Sequence, residues 1–189
     1  MDLSDAEKNG NSTPIPKLFH SFLEDGPFRH CTICNRDLLQ DNTVYLIEKA
    51  YKGQEVIFEY AMCMDCREEL VEDLSKQSLK LIQHYFEERL DDDTLNRSLE
   101  GIDPNQPESW IKKCALTGRS IKEIQEYQIC TICEGKHLLP GHGPLLISGQ
   151  AIEEISKLLS KKTRDRMDGF TEDYLGLPPG VRGLNVPVV

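Results

Sequence analysis

Two Cys-x-x-Cys pairs, Cys31 with Cys34 and Cys63 with Cys66, stand 28 residues apart and enclose a segment patterned as a β-hairpin. Each pair bends the backbone tightly enough to offer two sulfurs from one side, and a tetrahedral Zn²⁺ takes four such ligands. A chain that must bring these pairs together has few folds open to it, because the two ends of the intervening hairpin have to meet. Cys31, Cys34, Cys63 and Cys66 are therefore expected to hold one Zn²⁺. Four protein ligands leave no open coordination position, so the expected site is structural and has no catalytic residue.

Composition sets the remaining bounds. The 189 residues allow one medium domain or two small ones. The segment Met1 to Ile15 is polar and lacks the apolar core of a secretory signal, and no apolar run approaches the length of a membrane span. Seven cysteines in such a chain point to reduced, metal-binding thiols and a cytoplasmic location. The formal net charge is −10, and four thiolates around a divalent cation take it to about −12. That charge repels phosphate backbones, so nucleic acid is not the expected partner. The longest basic run is Lys161-Lys162-Thr163-Arg164.

In chain order, residues 1–14 read as a disordered lead and 15–95 as the four-cysteine module. Lys17 to Leu23 is expected to form a short helix against that module. Thr43 to Ala50 and Glu55 to Ala61 are rich in Val, Ile, Tyr and Phe, and Lys52-Gly53 supplies the turn between them. From Cys66 the apolar residues Leu70, Val71, Leu74, Leu81, Ile82, Tyr85 and Phe86 recur at helical spacing. This predicts one helix from Asp65 to Leu90, about 39 Å long at 1.5 Å per residue. The order of knuckle, hairpin and helix resembles the treble-clef zinc finger over residues 28–90, on Cys31, Cys34, Cys63 and Cys66.

Residues 96–109 read as a linker, 110–176 as a second cysteine-containing module and 177–189 as an extended tail. Within the second module Ser148 is the expected N-cap of a long C-terminal helix carrying Ile152, Ile155, Leu158, Leu159, Met167 and Phe170. Cys114, Cys130 and Cys133 with His137 make a candidate second metal site, and His142 or Thr117 are alternative fourth groups. Two internal echoes compete. One matches Cys63-Cys66 to Cys130-Cys133 and Cys31 to Cys114, with Thr117 in the place of Cys34. The other matches the identical Cys-Thr-Ile-Cys at 31–34 and 130–133. The first accounts for Cys114 and is the expectation carried forward, as a duplication with a degenerate second site. A deaminase-like zinc is disfavoured, since Ile129 stands where that motif has Pro and no His-x-Glu occurs.

The expected fold class is thus small α+β, a treble-clef-like zinc module followed by a degenerate second one. The expected function is a non-enzymatic zinc-binding adaptor or regulatory protein acting through a protein partner. The alternatives are a nucleic-acid-associated zinc-ribbon protein in transcription or translation, and a metal or thiol redox sensor. The segment from Arg67 to Asp93 carries nine carboxylates against four cations, an acidic face that a basic protein surface would complement.

Overall fold

The computed structural model describes residues 13–90, 106, 109–139 and 143–177. Most of the expected lead, linker and tail lies outside these residues. Thr13 and Pro14, assigned to the lead, belong to the fold: Thr13 is buried, its carbonyl accepts from the Leu138 N–H at 2.8 Å, and Pro14 bridges to His137.

The Val-, Ile-, Tyr- and Phe-rich segments form strands as expected. β1 (Val44–Lys52) and β2 (Glu55–Cys63) make a hairpin whose turn residue Gly53 adopts a φ of 61°, a conformation that favours glycine. β3 (Glu126–Glu134), β4 (His137–Leu138) and β5 (Leu145–Ser148) follow. They complete one five-stranded antiparallel sheet in the order β2-β1-β3. The far edge of β3 is shared by β4, opposite Cys133 and Glu134, and by β5, opposite Tyr127 to Cys130. β1 pairs with β3 over its whole length, from Val44 opposite Glu134 to Lys52 opposite Glu126. The two cysteine-containing segments therefore share a single sheet, and Glu48 and Cys130 face each other at the centre of that pairing.

β1 is buried on both faces, so its sequence does not alternate: Val44 to Ile47 is an unbroken apolar run, and Glu48 and Lys49 at its centre are buried as well. Side chains alternate along a strand. Glu48 meets Tyr60, whose ring lies edge-on to Phe170 at 5.2 Å, so that face looks toward the helices. Lys49 looks the other way, donating to the His20 carbonyl at 2.6 Å in the N-terminal segment. That segment forms only a 3₁₀ turn, Lys17–Phe19, with Phe19 fully buried; the expected helix to Leu23 does not form, because the chain reverses between Ser21 and Gly26.

The helix expected from Asp65 to Leu90 is two helices, α1 (Met64–Glu72) and α2 (Lys76–Glu87). Ser75 takes an extended backbone and its hydroxyl accepts from the Ser78 N–H, so it caps a new helix instead of continuing the old one. The long C-terminal helix divides likewise into α3 (Gly149–Leu158) and α4 (Lys161–Leu175), with Ser160 as the cap. The expected cap at Ser148 is present and accepts from the Ala151 N–H. The two breaks dock on each other. The Ser75 N–H donates to Thr163 Oγ1 at 3.0 Å, and the Ser160 N–H donates to Ser78 Oγ at 2.9 Å. Each break satisfies a backbone donor of the other, and neither sequence pattern alone indicates this.

Burial of Glu48 at the sheet centre has a pH consequence. Burial raises its carboxyl to about 8, only partly opposed by the Tyr60 hydroxyl, which donates to it at 2.6 Å. A carboxyl raised in the fold holds its proton there while the unfolded chain has already lost it, so stability is present in full below the unfolded value near 4.3 and falls as pH rises to 8. Each pH unit in that window removes about 1.4 kcal/mol. Glu48→Gln is expected to flatten the fall in urea-unfolding free energy between pH 6 and 8. An unchanged slope in the variant would place the titrating group elsewhere.

Candidate metal centre

Cys31 and Cys34 lie in a tight turn in which the Cys31 N–H donates to the Arg36 carbonyl and the Asn35 N–H to the Cys31 carbonyl, both at 2.9 Å. Asn35 closes the turn with a φ of 59°, the left-handed conformation that Asn tolerates better than most residues. Cys63 is the last residue of β2 and the N-cap of α1, and Cys66 sits in the first turn of that helix. The hairpin register thus delivers the second pair to the first, and the Thr32 N–H ties the turn to β2 through the Ala61 carbonyl at 2.8 Å.

The four sulfurs all lie within 4.8 Å of one another. Cys34 Sγ and Cys63 Sγ are 3.7 Å apart, close to the edge of about 3.8 Å in a tetrahedron with zinc–sulfur bonds of about 2.3 Å. Cys31, Cys63 and Cys66 are buried and Cys34 is exposed. The donor set therefore fits a tetrahedral, thiolate-preferring metal ion. Burial alone would raise the Cys31 thiol, but the N–H donors of Cys34, Cys63 and Ile33 outweigh it and hold it below its ordinary value. Cys63 and Cys66 are both raised, first by burial; at Cys63 the Cys66 N–H and thiol oppose the rise while Cys31 and Cys34 add to it, and at Cys66 the sulfurs of Cys34, Cys63 and Cys31 all add to it. Without a cation the four groups cannot all be thiolates at once. Arg36 and Asp65 form an ion pair at 2.6 Å from the turn to α1; both are exposed, so the pair orients the two ligand segments and adds little stability.

The other candidate ligands are not brought together. Among the described residues the four cysteines above are the cluster of Cys, His, Asp and Glu assembled at metal-binding distance, and Cys114, Cys130, Cys133 and His137 do not assemble. Cys130 and Cys133 are three residues apart on β3, so their side chains point to opposite faces. Cys130 lies toward Glu48, and Cys133 packs against Tyr45. Burial raises both thiols well above the ordinary value. His137 is exposed on β4, and His142 falls outside the described residues. Cys114 is fully buried and its sulfur accepts from the Ser148 N–H at 3.2 Å. Thr117 lies beside it. The match of Cys130-Cys133 to Cys63-Cys66 is thereby corrected: Cys130 and Cys133 lie within β3, whereas Cys63 ends β2 and Cys66 lies in the first turn of α1.

No described helix is long and apolar enough to cross a membrane. Compared with protein-family models, with curated proteins and with solved structures, the chain matches none.

Proposed function

We propose that this chain is a non-enzymatic, zinc-binding adaptor or regulatory protein of the cytoplasm that works through a protein partner, with Zn²⁺ held by Cys31, Cys34, Cys63 and Cys66 in a treble-clef-like arrangement. One observation carries the reading: four thiols converge from a tight turn and a helix N-terminus with the spacing of a closed tetrahedral site. Such a site ties a small fold together and leaves no position for a substrate or an activated water. The ion would order the turn at 31–36 against the end of β2 and the start of α1.

The surface beside this site suggests the partner's chemistry. Glu68, Glu69 and Glu72 on α1, Glu87 at the end of α2 and Glu88 just after it are exposed. Part of the acidic charge is met internally, Asp73 by Arg166 at 2.9 Å and Glu88 by Arg89 at 3.4 Å. Asp65 of α1 is taken by Arg36 at 2.6 Å, and Glu68, Glu69 and Glu72 are the stretch of that helix that would meet a basic surface. The thiol-sensor reading retains one supporting observation, the exposed Cys34 at 3.7 Å from Cys63.

Metal analysis of the purified chain is expected to give one zinc ion per chain. A lysine-rich probe peptide is expected to bind at low salt, and to weaken several-fold in a Glu68→Gln, Glu69→Gln, Glu72→Gln variant and as ionic strength approaches physiological, where the Debye length is about 8 Å. Duplex DNA and RNA should not bind in a filter assay at low salt. Tight, salt-sensitive nucleic-acid binding would overturn the adaptor reading in favour of a zinc-ribbon role.

A further inference from the structure

The turn that holds Cys31 and Cys34 occurs a second time. Around Cys114 its N–H donates to the Arg119 carbonyl at 2.8 Å and the Gly118 N–H donates to the Cys114 carbonyl at 2.9 Å, with Gly118 at a φ of 68°. These repeat the Cys31–Arg36 and Asn35–Cys31 bonds 83 residues further on. The Ala115 N–H reaches the Leu146 carbonyl at 2.8 Å, as the Thr32 N–H reaches Ala61. The Ser148 N–H donates to the Cys114 sulfur at 3.2 Å, as the Cys63 N–H donates to the Cys31 sulfur at 3.4 Å. Cys63 caps α1 and Ser148 caps α3. Even the outer tie recurs: Arg36 pairs with Asp65, and Arg119 donates to Gln150 at 3.1 Å.

The helices continue the correspondence at a spacing of 85. Ser75 and Ser160 cap α2 and α4, and their reciprocal bonds to Thr163 and Ser78 are the same bond made twice. In the sheet, Tyr45 is opposite Cys63 and Tyr127 is opposite Ser148, so β3 corresponds to β1. β1 and β3 then cross about a pseudo-twofold axis between Glu48 and Cys130. The sequence carries the trace. Residues 63–90 and 148–175 align without a gap, sharing Glu68/Glu153, Glu69/Glu154, Leu74-Ser75-Lys76 with Leu159-Ser160-Lys161, Glu87/Glu172 and Leu90/Leu175.

We infer that the second half of this protein is a copy of the first whose metal centre has been replaced by hydrogen bonds, with Cys114, Thr117, Ser148 and Ala151 in the four ligand positions. Only Cys114 keeps its sulfur. The Ser148 N–H that donates to it ties the turn to the start of α3 without an ion, and the Ser148 hydroxyl that accepts from the Ala151 N–H caps that helix. The buried Thr117 hydroxyl lies beside the Cys114 sulfur and helps to lower that thiol, the place that Cys34 holds beside Cys31. The fold is thus a fused pseudo-dimer with one metal-dependent corner and one metal-independent corner, and chelation acts on the first alone.

The test is to restore the ligands. The full chain carrying Thr117→Cys, Ser148→Cys and Ala151→Cys is expected to retain one more Zn²⁺ per chain than the parent after gel filtration. Its Co²⁺ form should show correspondingly more tetrahedral thiolate absorption. The readout is the difference from the parent, so a parent with no zinc and a variant with one would uphold this inference while sinking the zinc reading of the first site. A Thr117→Cys, Ala151→Cys variant keeps the Ser148 cap and offers three thiolates, to be read by Cd²⁺–thiolate absorption. A folded variant with no added ion, or failure of both variants to fold, overturns the inference, because true ligand positions accommodate cysteine. In the parent, a chelator should speed amide exchange at residues 31–37 and leave 114–120 unchanged. Equal loss of protection at both turns would also overturn it.

Discussion

A Cys34→Ser chain is expected to lose its zinc and, with it, the order of residues 28–66. Metal binding at comparable sites contributes on the order of 10 kcal/mol, and a site absent from the unfolded chain returns that free energy to folding. Whole domains are stable by about 5–15 kcal/mol, so few changes elsewhere could match this one. Cys34 is the exposed ligand, and its replacement disturbs little packing; the effect therefore reports the metal. The first protease cuts should fall between Phe28 and Cys66, and a strong chelator added to the parent should give the same cutting pattern. A Cys34→Ser chain with full zinc content and parental resistance to proteolysis would show that the cluster does not hold the metal the fold depends on.

The second large effect is expected at Lys49. Its ammonium meets Glu59 at 3.0 Å with both side chains buried, 4% and 8% exposed, and donates to the His20 carbonyl at 2.6 Å. Glu59 accepts in addition from the Ser21 hydroxyl at 3.0 Å and the Phe22 N–H at 2.6 Å. Lys49 and Glu59 are cross-strand neighbours in β1 and β2, so the pair fastens the segment around residues 17–26 to the sheet. Removing one partner strands the other charge in the interior, at a cost of about 3–5 kcal/mol. Lys49→Met should lower the urea-unfolding free energy by that amount and expose the Phe22 amide to exchange. Replacing both residues, Lys49→Met with Glu59→Leu, should recover most of the loss, since an apolar pair of similar size carries no desolvation penalty. A Lys49→Met chain within 1 kcal/mol of the parent, a difference of about fivefold in the unfolding equilibrium, would show that water reaches the pair.

What could be read from the residues alone was local. Two Cys-x-x-Cys pairs, the hairpin turn at Gly53 and the cap at Ser148 are each settled within a few residues by backbone sterics and ligand spacing, and the structure shows them assembled. Tertiary structure decided everything that depends on which segments meet. The apolar period through Leu70 to Phe86 is continuous, so nothing in it betrays the break at Ser75. That break stands because Thr163, 88 residues away, accepts the N–H it frees. Cys130-Thr-Ile-Cys133 looks like a ligand pair by spacing, yet β-strand alternation sends its two sulfurs to opposite faces once β3 lies against β1. The alignment of 63–90 with 148–175 was present in the sequence, but Cys63 and Cys66 face Ser148 and Ala151 in it, so a search guided by cysteines passes over it. Ligand chemistry is legible because it demands particular residue types. Chain pairing is not, because backbone hydrogen bonds are the same whatever side chain each residue carries.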